Sequence, residues 1–173
     1  MRALSVAPRI LAAAVLLLVL AAFTRPFVAL YADERVGTAT GLELVRGEPS
    51  VAGRYSHPEL RGSVERRLRD AEAPALLALA AAVAALVLVL LPHRSGPALA
   101  LVAALVGLAG LAWILVVTAS PNVSVATDRR YALWLAGIGL VTAGVLCGLA
   151  LAFSGGAGRA GRRLPGSRPP GRG

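Results

Sequence analysis

Four stretches of this chain are too long and too apolar for the interior of a soluble domain. Ile10 to Tyr31 is apolar apart from an interruption at Arg25-Pro26, and Ala75 to Leu91 has no polar side chain at all. Ala98 to Thr118 and Tyr131 to Phe153 are each long enough to cross a hydrocarbon core of ~30 Å. A soluble domain needs a polar outer shell, and 57% apolar with 16% charged residues leaves nothing to make one from. Inside a bilayer the backbone must satisfy its own donors and acceptors, so runs of this kind are helices. The expected fold is an all-α membrane protein with four transmembrane helices.

The polar residues divide the chain accordingly. A short N-terminus, 1–9, is expected in the cytoplasm, with a first span at 10–31 and an extracytoplasmic loop at 32–73. The second span is 74–92, bounded by Pro74 and Pro92, and 93–96 forms a cytoplasmic turn. The third span is 97–118, with Pro97 where a helix start tolerates proline, and 119–130 is a second extracytoplasmic loop. The fourth span is 131–153, and 154–173 is a Gly-, Pro- and Arg-rich cytoplasmic tail of disordered composition. Arg2 and Arg9 ahead of an apolar run also fit a signal peptide, but cleavage needs small residues at both −3 and −1, and the candidates before Phe23, Leu30 and Asp33 have Leu20, Phe27 and Leu30 at −3. An uncleaved signal anchor is the better reading, with Arg25 snorkelling at its far end.

Orientation rests on charge and aromatics. The tail carries Arg159, Arg162, Arg163, Arg168 and Arg172 with no acid, which reads as cytoplasmic, and an even number of spans puts Arg2, Arg9 and Arg94 on the same side. Phe27, Tyr31, Trp113, Tyr131 and Trp134 fall towards the opposite face, as an interfacial belt would. Arg66, Arg67 and Arg69 beside the second span weigh against this orientation. The expected location is the plasma membrane, with both termini inside.

Between Asp33 and Glu72 lie eight of the nine acids and seven of the eighteen arginines. Val36, Thr38, Thr40, Leu42 and Leu44 alternate with smaller or more polar neighbours, the period of a strand; Gly47-Glu48-Pro49-Ser50 makes a turn, and Val51 to Tyr55 is the expected partner strand. Ser56-His57-Pro58-Glu59 matches a capping box, with Ser56 and Glu59 satisfying reciprocal backbone donors. From Pro58 to Ala73, Leu60, Val64, Leu68 and Ala71 share one face, while Arg61 with Glu65, Glu65 with Arg69, and Arg66 with Asp70 pair four apart. This predicts an amphipathic helix, kinked at Pro74, that either lies on the membrane surface or extends the second span into water.

Chemistry-bearing residues are few. The lone Cys147 excludes an internal disulfide and a multi-cysteine metal site, and His57 and His93 fall on opposite faces. Asp128 reads as the cap of the fourth span, and no span has an ionisable residue in its centre. No nucleophile has a base and an orienting group in reach, so no enzyme, cofactor or metal is expected. The net charge of +9 comes from arginine alone, and within the loop seven arginines are offset by eight acids, so nucleic acid is not an expected partner. Membrane lipids are, through the basic tail.

In the fourth span Gly137, Gly144 and Gly148 fall near one face, with Gly144 and Gly148 in a GxxxG spacing. Such a face packs either against another helix of the bundle or against a protein partner or a second copy.

The layout resembles that of small four-pass integral membrane proteins of unknown function from high-GC bacteria. The likeness is carried by Thr40-Gly41-Leu42-Glu43-Leu44 after the first span, the long first loop, and Tyr131-Ala132-Leu133-Trp134-Leu135 opening the fourth. It implies the four-helix membrane fold and transfers no activity. The function expected is a non-enzymatic accessory or scaffold subunit that binds an envelope or membrane partner through the 33–72 loop. The alternative is a subunit of a transporter or channel assembly.

Overall fold

A computed structural model describes residues 2–32, 34–47, 66, 68–93, 95–118 and 131–160. In chain order they form α1 (Arg2–Ala22), β1 (Pro26–Ala32), β2 (Glu34–Thr40), α2 (Gly41–Arg46), α3 (Glu72–Leu90), α4 (Gly96–Thr118) and α5 (Tyr131–Ala160). Three helical stretches, Leu68–Leu90, Gly96–Thr118 and Tyr131–Phe153, are long and apolar enough to cross a membrane. The apolar part of α1, Val6–Ala22, is shorter.

The four long helices form a ring in which α1 packs on α3 and α5, and α4 packs on α3 and α5. Neighbours run antiparallel. Arg9 near the start of α1 reaches Leu91 at the end of α3, and Gly139 early in α5 meets Val19 late in α1. Likewise Gly110 late in α4 meets Pro74 at the start of α3. The start of α1, the α3–α4 turn and the end of α5 therefore share one end of the bundle. The hairpin and α2 sit at the other.

The interior is small and the exterior large, the reverse of a soluble bundle. Ala12, Ala78, Ala82, Ala104, Ala136 and Ala143 are buried, whereas Leu18, Leu90, Val116, Trp134 and Ile138 are exposed. Water drives large apolar side chains inward, but lipid tails do not. In lipid, close backbone approach supplies the packing, and it needs small residues at the seams. A Cβ at Gly110 would lie 2.9 Å from the Pro74 carbonyl oxygen, and one at Gly107 would lie 3.1 Å from Leu140. Hydroxyls in the helices turn inward on their own backbone: Thr118 donates to the Ile114 carbonyl at 2.7 Å and Thr142 to that of Ile138 at 2.8 Å.

The first helix departs from the expected 10–31. It starts at Arg2, runs through Pro8 and ends at Ala22. The backbone amides of Phe23, Thr24 and Arg25 bond to carbonyls three residues back, and the Thr24 hydroxyl takes the Ala21 carbonyl at 2.7 Å. Pro26 then excludes the helical conformation for Arg25 and starts β1. Phe27 to Tyr31 is apolar because it is a strand whose first residues plug the bundle end, not because it spans.

The hairpin is also displaced from its expected place. Its strands are 26–32 and 34–40, antiparallel, rather than 36–44 with 51–55. A register shift between Pro26 and Val28 lets Phe27 and Val28, adjacent in sequence, both be buried. Phe27 therefore belongs to the core and not to an aromatic belt, its ring centroid 4.9 Å from that of Phe23. Leu42 and Leu44, read as strand residues, are in α2.

At the far end of the chain, α5 continues through Ala160, past the expected boundary at Phe153, so Arg159 lies in its last turn rather than in a disordered tail. On the approach to α3, Arg66 and Leu68 to Asp70 are helical and Ala71 is a turn residue. The Ala75 amide bonds to the Ala71 carbonyl at 3.0 Å, which carries the helix past Pro74.

Candidate partner-facing surfaces

The end of the bundle that carries the hairpin is closed by a compact cap. Thr40 accepts from the Glu43 amide at 3.1 Å, and the Glu43 carboxylate accepts from the Thr40 amide at 2.7 Å, a reciprocal capping box that starts α2. The Leu42 amide donates to the Phe23 carbonyl at 3.0 Å and so pins α2 to the end of α1. Gly41 makes this contact possible, since a Cβ there would sit 2.8 Å from Phe23 Cδ1 and 3.0 Å from Phe27 Cζ. Gly47 ends α2 in the left-handed conformation, φ 65°, and its amide caps the Glu43 and Leu44 carbonyls. The Glu72 carboxylate of α3 lies against it, 2.7 Å from where a Cβ would be. Leu44 is fully buried between α2 and α3.

This capping box is the structural feature that strand periodicity concealed. Thr40 with Glu43 three residues on is as good a T-x-x-E match as Ser56 with Glu59. Ser56, Glu59 and His57, the strand expected at Val51 to Tyr55, and most of the helix expected at 58–73 lie outside the described residues. So do Asp128, Arg162, Arg163, Arg168 and Arg172.

The three glycines expected to share a face of α5, Gly137, Gly144 and Gly148, meet different surroundings. Gly144 is buried, and a Cβ there would lie 3.3 Å from Leu101 of α4. Around Gly137 and Gly148 a Cβ would meet nothing within 4 Å. The face is therefore used inside the bundle at its middle and open above and below. Beside Gly137 an apolar cleft of about 340 Å³ opens between α4 and α5, lined by Leu111, Leu115, Trp134, Ile138 and Val141 among others. Cys147 is buried in α5 as a small apolar group.

At the opposite end, Arg9 donates to the carbonyls of Leu91 and His93, both at 3.4 Å. Leu91 caps the end of α3, where a cation is favoured, whereas the His93 carbonyl lies beyond the helix and also accepts from the Gly96 amide at 3.2 Å. His93 Nδ1 lies 2.7 Å from the Ser95 hydroxyl and accepts from the Ser95 amide at 3.4 Å. Both contacts are satisfied when Nδ1 accepts from each, which places the ring proton on Nε2.

Among the described residues no group of three His, Cys, Asp or Glu side chains comes together at metal-binding distance. The chain matches no protein-family model, no curated protein and no solved structure.

Proposed function

We propose that this is a four-span protein of the bacterial plasma membrane, with both termini cytoplasmic. It serves as a non-enzymatic accessory or scaffold subunit whose 33–72 region engages an envelope or membrane partner. Support for a fourth span comes from α1, which runs the height of the bundle from Arg9 at the end of α3 to Phe23 under the cap. The Val6–Ala22 stretch rises about 26 Å at 1.5 Å per residue, a modest mismatch that a bilayer absorbs by thinning. Antiparallel neighbours put the two described chain ends on one side, in keeping with the arginine-only tail.

The observation that carries the scaffold reading is the cap. The described chain reaches Gly47 at the end of α2, where the Glu72 carboxylate of α3 lies against it and Leu44 is buried. The described residues on both sides of 48–65 thus meet in one cap. Transport chemistry has less in its favour, because the described interior is closed by buried alanine, leucine and valine from Ala12 to Ala150.

The test replaces 48–65 with a glycine–serine linker of equal length and leaves the cap intact. Co-purifying envelope or membrane proteins are expected to be lost while the bundle stays folded. Retention of every partner by the linker variant sinks the proposal.

A further inference from the structure

The end of the bundle that carries Arg9 has its own cleft. It lies in the crook of the α3–α4 turn, has a volume of about 350 Å³, and is lined by Leu88, Leu91, Pro92, His93, Ser95 and Leu99 among others. Three features of this place belong together. Its walls are leucine and its mouth is polar, with His93 and Ser95 exposed and the His93 Nε2 proton left to donate. The Arg9 guanidinium closes on the carbonyls of two lining residues, Leu91 and His93, which occupies only part of a five-donor fork. Finally, the chain has no acidic residue in 1–32, 74–127 or 129–173, so among the described residues α1, the α3–α4 turn, α4 and α5 set no carboxylate beside Arg9.

The geometry points to a site for one anionic phospholipid of the adjoining leaflet, with its phosphate at Arg9 and His93 and an acyl chain between Leu88 and Leu99. Charge complementarity selects the anionic headgroup, because a cationic rim without counter-charge attracts acidic lipid at a membrane surface. The apolar walls select a lipid over a free anion: a soluble phosphate would leave the leucines unused, whereas an acyl chain covers them. The cleft at Gly137 differs in that no arginine among the described residues is bonded to the carbonyls of its lining residues, as Arg9 is to Leu91 and His93. This inference rests on the membrane reading of the bundle.

The experiment uses the full chain in phosphatidylcholine nanodiscs containing either photoactivatable phosphatidylglycerol or photoactivatable phosphatidylcholine, with the diazirine on the acyl chain. Phosphatidylglycerol adducts are expected to concentrate on residues 88–99 and to fall about fivefold in Arg9→Gln, the equivalent of ~1 kcal/mol per cationic side chain. His93→Leu, which removes the donor and leaves Arg9 in place, lowers the same adducts. A variant lacking residues 161–173 keeps them, and inorganic phosphate does not compete for them. Equal labelling of 88–99 by both lipids overturns the site, as does loss of the preference on removing the tail alone. If neither probe labels the outer faces of α4 and α5, the membrane reading itself has failed.

Discussion

The amide of Leu42 donates to the carbonyl of Phe23 at 3.0 Å, joining the first turn of α2 to the end of α1 across the whole hairpin. Nothing bulky can stand between them. Gly41→Ala puts a methyl 2.8 Å from the Phe23 ring and 3.0 Å from its Cα. The expected outcome is a loosened cap: faster hydrogen exchange over 26–47, with the exchange of α4 and α5 unchanged. An unaltered pattern in the variant shows that the cap does not depend on this contact.

The capping box makes a separate contribution. Thr40→Ala removes the acceptor for the Glu43 amide, and Glu43→Ala removes the acceptor for the Thr40 amide. Each loss costs about 1 kcal/mol of local stability, and the double variant costs less than the sum because the two bonds form one unit. Exchange rates of the α2 amides read this directly; strictly additive effects contradict the reciprocal arrangement.

Helix seams respond to added volume according to what faces each glycine. Gly110→Ala forces α3 and α4 apart against the Pro74 carbonyl and Ala78, a loss of about 1–3 kcal/mol. Gly137→Ala meets nothing within 4 Å and leaves monomer stability undiminished, with a gain of up to about 1 kcal/mol from helix propensity. Denaturation in micelles ranks the two; equal losses count against the packing described for α3 and α4.

Gly148→Ile distinguishes the two uses of the glycine face. No neighbour lies within 4 Å of a Cβ at that position, so the bundle tolerates the change. If the face also receives a second copy or a partner helix, the variant lowers association while its unfolding midpoint holds. Cross-linking in membranes provides the readout, and a fall in unfolding midpoint shows instead that Gly148 packs within the bundle.

The three helices long and apolar enough to cross a membrane, α3, α4 and α5, are legible from sequence because each is an unbroken apolar run bounded by proline, by a hydroxyl residue or by arginine. Their alanine-lined interior is not read from the sequence, where only the glycine spacing of α5 stands out. What periodicity misread lies between Phe23 and Gly47. Phe27 to Tyr31 is as apolar as a span, and only Pro26 marks it as something else. Val36 to Leu44 keeps a strand's alternation through Thr40, where the chain changes to helix. Hydropathy cannot see that change; the threonine–glutamate spacing can. The contact of Arg9 with Leu91 and His93 is not legible either, because it joins residues 82 and 84 positions apart through a fold that brings α1 beside the end of α3.

The most direct test of the four-span account is the sidedness of single cysteines in a Cys147→Ser background. Val6, Thr24, Arg46 and Ser95 are exposed positions distributed over both ends of the bundle. Each is replaced by cysteine in turn and treated with a membrane-impermeant thiol reagent in intact cells. Thr24→Cys and Arg46→Cys are expected to label at once, while Val6→Cys and Ser95→Cys label only after the membrane is opened. Labelling of Val6→Cys together with Arg46→Cys in intact cells contradicts the account, because α1 then does not cross.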